Sequence, residues 1–305
     1  MSTDSHTDSL QSGELSALEA TGEEAGVRMV SPSFVEALSY AAQAHVTHVR
    51  KGSKDRSPSA NGLGAGVPYV AHLLEASALV LDAGGSDNAA IAALLHDVVE
   101  DWGGVPRLEE VRRVFGTEIA AIVESCSDSL DEQKKATDYW FDRKRAHVRH
   151  VANASPDALL VLAADKTSNG RATLADLAGR DSVAEQLAMF ESFRPYADAS
   201  GTGRRTTTSP RPADPFFDLA PEHSGPSDEA RRYSATCALW YYQSIVSALR
   251  SRFEELDFAP LGRLLNELSR VVGEIACSVA ALGVATERVA EQVALDAAAG
   301  WPDID

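Results

Sequence analysis

The stretch Ala92-Ala-Leu-Leu-His-Asp-Val-Val-Glu-Asp101 constrains this chain more than any other. Ile91, Leu94, Leu95, Val98 and Val99 recur at helical spacing with no Gly or Pro among them, so the stretch reads as one helix in an apolar setting. Residues four apart stack on one helix face, which puts His96 beneath Glu100 and Asp97 beneath Asp101. An imidazole and three carboxylates thus project from two turns of a helix that is otherwise apolar. Burying carboxylates unpaired is costly, and a divalent cation is an effective compensating charge.

Length and charge narrow the classes around that helix. The chain has 305 residues, of which 44% are hydrophobic, enough for a substantial core. A net charge of -17 argues against binding DNA through a broad basic surface, while leaving room for a local basic pocket that takes a phosphorylated small molecule. Cys126, Cys237 and Cys277 lie far apart in helical contexts and read as buried thiols, with neither zinc spacing nor a disulfide framework. No apolar run reaches membrane-spanning length and the N-terminus lacks a signal-peptide core, so the expectation is a soluble cytoplasmic protein with no membrane partner.

Read in order, residues 1–30 are an acidic, Ser/Thr-rich arm with the composition of disorder. Ser31-Pro32 and Ser33-x-x-Glu36 open a helix expected to run to about Arg50. Residues 52–67, rich in Gly, Ser, Asn and Pro, read as an exposed loop. A helix follows from Pro68-Tyr69 to about Asp82, stopped by Gly84-Gly85, and Ser86-Asp87-Asn88 caps the central helix. Helices are then expected over 107–115, 117–126, 131–152, 159–164 (ending at Asp165), 181–194, 229–256 and 260–297. Residues 197–229 read as a flexible insertion. Strand signals are nearly absent, so the fold class is all-α: one helical domain over 31–258 with a C-terminal helix and tail over 259–305.

Two further residues complete a candidate site. His72 lies on its own helix in Pro68-Tyr-Val-Ala-His72, and Asp165 follows the apolar run Leu162-Ala-Ala. With His96 and Asp97 they offer an imidazole and carboxylate donor set without thiolate, which suits Mn²⁺ better than a structural zinc site and leaves Zn²⁺, Fe²⁺ and Mg²⁺ open. A divalent ion acidifies bound water and can hold a phosphate oxygen, and Glu100 and Asp101, one turn on, are placed to move protons. Taken singly each of these is weak evidence: a His-Asp dipeptide is common, His72 alone would be a satisfied core histidine, and Asp165 alone a helix terminus. Their combination in this order is far more specific.

In that combination the chain resembles the HD-type hydrolase domain of the RelA/SpoT group, in particular the stand-alone small alarmone hydrolases. The resemblance rests on Ala41-Ala-Gln-Ala-His45 with Arg50-Lys51; Pro68 to His72; Ala92 to Asp101; Phe115-Gly116 and Ser127-Asp128; Trp140-Phe-Asp-Arg-Lys144; Ala164-Asp-Lys-Thr-Ser-Asn169 with Arg171; and Leu239-Trp-Tyr-Tyr242. It implies an HD-domain helical bundle. The activity it implies is Mn²⁺-dependent hydrolysis of the 3′-pyrophosphate of ppGpp and pppGpp to GDP or GTP and pyrophosphate. It implies metal ligation by His72, His96, Asp97 and Asp165, and water activation and proton handling by Glu100 and Asp101. It further implies substrate contacts from Arg50, Lys51, Asn169 and Tyr241. Without it, Arg50 and Lys51 read as cations at a helix C-terminus, Arg143 and Lys144 as surface charges, and Tyr241 as core. His45, on an apolar stripe, reads as a packed neighbour of the site rather than a ligand.

The chain departs from the family pattern at Leu73, where Pro is common, at Trp102, where Thr is usual, and in the 52–67 and 197–229 segments; none of these removes a ligand. Two alternatives stand beside the leading one. One is an HD phosphohydrolase acting on another nucleotide or a phosphorylated RNA end. The other is an antitoxin or regulator of a cognate small alarmone synthetase, bound through the acidic arm or the C-terminal helix.

Overall fold

In the computed structural model the described residues are 30–50, 66–127, 140–193, 214–220 and 227–301. They form an all-α fold, and among them the extended pairing is confined to one isolated bridge, Val49 with Pro68. The helices are α1 (Pro32–Ala44), α2 (Val70–Ala83), α3 (Asp87–Asp101), α4 (Gly104–Phe115), α5 (Thr117–Cys126), α6 (Trp140–Val151), α7 (Pro156–Ala178), α8 (Val183–Ala188), α9 (Asp228–Leu256), α10 (Ala259–Ala281) and α11 (Thr286–Ala298).

The helix read first from sequence is the centre of the fold. Ser86 caps α3 by accepting from Ala89 N, and Ala89 through His96 are all buried, as are Val98 and Val99. Burial on every side follows from its neighbours: α1, α2, α4, α5 and α7 all pack against it. The second buried helix, α7, is embraced by α2, α3, α5, α9 and α10. It brings the small residues Ala163, Ala164 and Gly170 to its contacts. A Cβ on Gly170 would lie 2.6 Å from Val271 Cγ1, so α7 and α10 approach more closely than any larger residue would permit.

Several boundaries differ from the pattern reading. The first helix stops at Ala44 instead of near Arg50. Residues 48–50 then run extended beside 67–69, with Arg50 N donating to Val67 O and Tyr69 N to His48 O, each at 2.9 Å. This pairing closes the base of the 52–67 segment, of which 52–65 lies outside the described residues. The helix expected over 131–152 is described from Trp140 onward. Asp165 sits in mid-helix, because α7 runs unbroken through Lys166-Thr-Ser-Asn-Gly170. That run has loop-like composition, yet Thr167 Oγ1 donates to Ala163 O and Ser168 finds side-chain partners, so neither polar group competes with the helix. The helix expected over 181–194 is α8 followed by a 3-10 turn, Met189–Phe193.

Within 197–229, residues 214–220 are folded against the domain, with Phe216 and Asp214 buried and Asp218 paired to Arg288; α9 then starts at Asp228, capped by Ser227. The remainder of that insertion, like the acidic arm before Val30, lies outside the described residues.

The last helix expected over 260–297 is two helices. Gly283, at φ 84, takes the chain through a left-handed turn that side chains resist, and α11 leaves at Thr286. Both pack on the domain. Leu261, Leu264, Leu265, Leu268, Val271 and Ile275 of α10 are buried, chiefly against α7. Cys277, read as buried, is exposed because it falls on the solvent side of that stripe. From α11, buried Asp296 accepts from Arg145 of α6 and from the Trp240 indole of α9, each at 2.9 Å. The C-terminal helices are thereby part of the same packed body as the candidate site.

Candidate active site

Three helices deliver the candidate ligands: α2 gives His72, α3 gives His96 and Asp97, and α7 gives Asp165. Asp97 Oδ2 lies 3.0 Å from His96 Nε2 and 3.5 Å from His72 Nε2. Asp165 Oδ1 lies 3.3 Å from His72 Nε2 and 3.7 Å from His96 Nε2. His72, His96 and Asp97 make the tighter trio, with ligating atoms within 4.8 Å of one another. All are buried or nearly so, and neither Nε2 makes a hydrogen bond.

Orphaned buried nitrogens facing two carboxylates are a poor arrangement for protein alone and a good one for a cation. The spacing agrees. Donors about 2.1 Å from one ion stand about 3.0 Å apart at right angles and about 3.4 Å apart at the tetrahedral angle. His96 Nδ1 lies 2.8 Å from Ala93 O, which can only accept, so Nδ1 carries a proton and Nε2 turns to the site. The residues present therefore fit a divalent metal ion.

Charges in the site are strongly coupled. Burial disfavours ionisation of Asp97, but His96 and His72 more than reverse this and hold it well below the usual carboxylate range. At Asp165 burial is likewise outweighed, first by Lys166 and then by the imidazoles. Burial works against a cation at His96, yet Asp97 and Asp165 raise it well above the usual imidazole value. An entering ion would take the place of that proton.

The expected substrate-side residues fall around this centre unevenly. Arg50 reaches it: Nη2 donates to Asn169 Oδ1 at 3.1 Å, and Asn169 in turn donates to Asp165 Oδ1. Tyr241 presents its ring to two cations, Lys144 Nζ at 4.6 Å and Lys166 Nζ at 5.5 Å from the centroid. Glu100 is half-buried on the last turn of α3, one turn beyond His96. Asp101 closes α3, with its side chain outside the described part, and Lys51 also lies outside it. His45 is buried and stacked on Tyr69, with centroids 4.9 Å apart.

Pattern reading gave no role to three residues that touch the ligands, Tyr69, Lys166 and Ser168, or to Glu75 behind Ser168. The Tyr69 hydroxyl donates to Asp97 Oδ2 at 2.5 Å, and Lys166 pairs with Asp165 Oδ2 at 2.7 Å. Ser168 Oγ lies 2.9 Å from His72 Nδ1 and donates to Glu75 Oε2 at 2.7 Å. A faint signal was available. Tyr69 and Glu75 stand three residues either side of His72, and Ser168 stands three beyond Asp165, the spacing of helical neighbours.

The HD domain family profile matches residues 37–201. The guanosine-3′,5′-bis(diphosphate) 3′-pyrophosphohydrolase MESH1 of Drosophila melanogaster is 32% identical over 143 residues, covering 46% of this chain and 69% of that protein. Its Homo sapiens counterpart is 34% identical over 139 residues, covering 45% and 67%. A solved structure described as a metazoan ortholog of SpoT that hydrolyses ppGpp aligns over 80% of this chain and 97% of its own, at 23% identity and a TM-score of 0.46.

Proposed function

Since the chain belongs to the HD-domain family, among the small alarmone hydrolases of the RelA/SpoT type, we propose that it hydrolyses the 3′-pyrophosphate of ppGpp and pppGpp, yielding GDP or GTP and pyrophosphate. One observation carries the site-level reading: two buried Nε2 atoms without hydrogen bonds, from His72 and His96, face the carboxylates of Asp97 and Asp165 at 3.0–3.7 Å. These four residues would hold the ion, and their hard oxygen and imidazole donors favour Mn²⁺. When bound, the ion supplies Lewis acidity at a phosphoryl oxygen and acidifies a water.

The rest is the work of the chain's own groups. Water attacks the phosphorus bonded to the 3′ oxygen, the P–O3′ bond breaks, and the 3′ oxygen takes up a proton. Glu100 and Asp101 accept the proton of the attacking water and return one to the departing oxygen. Lys166 and Arg50 offset charge growing on the phosphoryl oxygens, the first as a point charge and the second as a planar fork. Asn169, tied to both Arg50 and Asp165, contacts the ribose and 3′ phosphate, and Tyr241 forms a wall of the pocket. A cognate small alarmone synthetase remains a candidate partner. Such a partner would meet the exposed faces of α10 and α11, since the apolar face of α10 is already covered by α7.

Purified protein given ppGpp and Mn²⁺ is expected to form GDP and pyrophosphate. Release of the 5′ phosphates with the 3′ pyrophosphate intact would refute the reading. His96→Ala and Asp97→Ala are expected to abolish turnover and Mn²⁺ binding while keeping the helical circular dichroism spectrum.

A further inference from the structure

We infer that Glu75 and Ser168 are positioning residues for His72, fixing its proton on Nδ1 so that Nε2 is its ligating nitrogen. Ser168 is fully buried, and its hydroxyl has one proton and two lone pairs. That proton goes to Glu75 Oε2 at 2.7 Å, a carboxylate oxygen that can only accept. Toward His72 Nδ1, at 2.9 Å, the serine oxygen is left to accept, so the imidazole must donate. Arg50 Nη1, at 3.4 Å, is a donor and uses the second lone pair without disturbing this order.

Neutral imidazole with its proton on Nδ1 has its lone pair on Nε2, the atom that faces Asp97 and Asp165. Glu75 is itself held. Arg171 Nη1 donates to Glu75 Oε1 at 3.2 Å, and its Nη2 to Glu267 Oε1 at 2.8 Å. Glu267 belongs to α10, so a helix beyond the matched HD-domain residues buttresses the carboxylate that sets the tautomer of His72. Ligand histidines in metal proteins commonly rely on such outer partners, whose loss costs roughly 10–100-fold in metal affinity.

This inference rests on His72 being a metal ligand, and the test separates the two. Nitrogen-15 histidine labelling of the full chain reads the His72 tautomer directly, at alkaline pH and without metal. The wild type is expected to show the Nδ1–H form. Glu75→Ala frees the serine hydroxyl to turn toward His72 and is expected to populate the Nε2–H form, with Mn²⁺ affinity reduced roughly 10–100-fold. Glu75→Gln keeps an acceptor for Ser168 and is expected to retain the wild-type tautomer. A wild-type Nε2–H form, or a Glu75→Ala protein with unchanged tautomer and Mn²⁺ affinity, overturns the inference. Wild-type protein that binds no Mn²⁺ overturns the metal reading instead, with the tautomer still deciding what Ser168 and Glu75 do.

Discussion

Tyr69 lies one helical step before His72, and its hydroxyl donates to the carboxylate of Asp97 at 2.5 Å. A hydrogen bond to a charged acceptor contributes about 1.5–3 kcal/mol, and this one also limits the rotation of the carboxylate. Tyr69→Phe is expected to lower Mn²⁺ affinity by about tenfold, the lower end of outer-partner effects, because α3 still positions Asp97. A Mn²⁺ titration followed by electron paramagnetic resonance checks this. Behind Tyr69, burial holds His45 down to about 4 from an ordinary 6.5. Between those pH values the unfolded chain binds a proton that the folded one refuses, so stability falls as pH drops through the window. The loss approaches about 3 kcal/mol at the acid end. Urea unfolding across that range is expected to show a flatter pH dependence in His45→Phe, which keeps an aromatic ring against Tyr69.

At the scale of elements, the α7–α10 contact shows how one substitution can take either sign. Replacing glycine by alanine inside a helix favours the helix by about 1 kcal/mol. At Gly273, on the exposed side of α10, a new methyl meets nothing within 4 Å, so Gly273→Ala is expected to stabilise by about that amount. At Gly170 the methyl would press on Val271, and overpacking of this kind costs about 1–3 kcal/mol, which exceeds the helix gain. Gly170→Ala is therefore expected to destabilise and, by displacing α10, to loosen the Arg171–Glu267 contact. Parallel thermal denaturation of the two variants should move their midpoints in opposite directions.

Across the whole molecule, a chain of net charge -17 sets Lys166 against Asp165, Arg50 against the Asn169 that bonds Asp165, and Lys144 over the Tyr241 ring that Lys166 also faces. None of the helices among the described residues is long and apolar enough to cross a membrane. Because the candidate ligands come from α2, α3 and α7, an ion held by them ties together the helices that build the core. A ligand that binds only the folded state stabilises by about 2.7 kcal/mol at a hundredfold excess over its Kd. The unfolding midpoint is expected to rise with added Mn²⁺, to return on chelation, and to show no such response in Asp97→Ala. A calorimetric scan with and without chelator reads all three.

What the sequence by itself determined was what repeats locally. Apolar spacing and caps set α2, α3, α5 and α9 nearly to the residue, because a helix is written in contacts three and four positions apart. The same local code marked His96 and Asp97 as out of place on a buried helix. Only the tertiary structure decided what meets across helices. It kept Asp165 inside α7, because the serine and threonine that look like loop find partners there. It divided the last helix at Gly283 and buried Arg145 against Asp296, 151 residues apart in sequence. It also set Tyr69, Lys166, Ser168 and Glu75 around the four candidate ligands. Hydrogen bonds between distant residues leave no periodicity in the chain; they appear only once packing has fixed which faces touch.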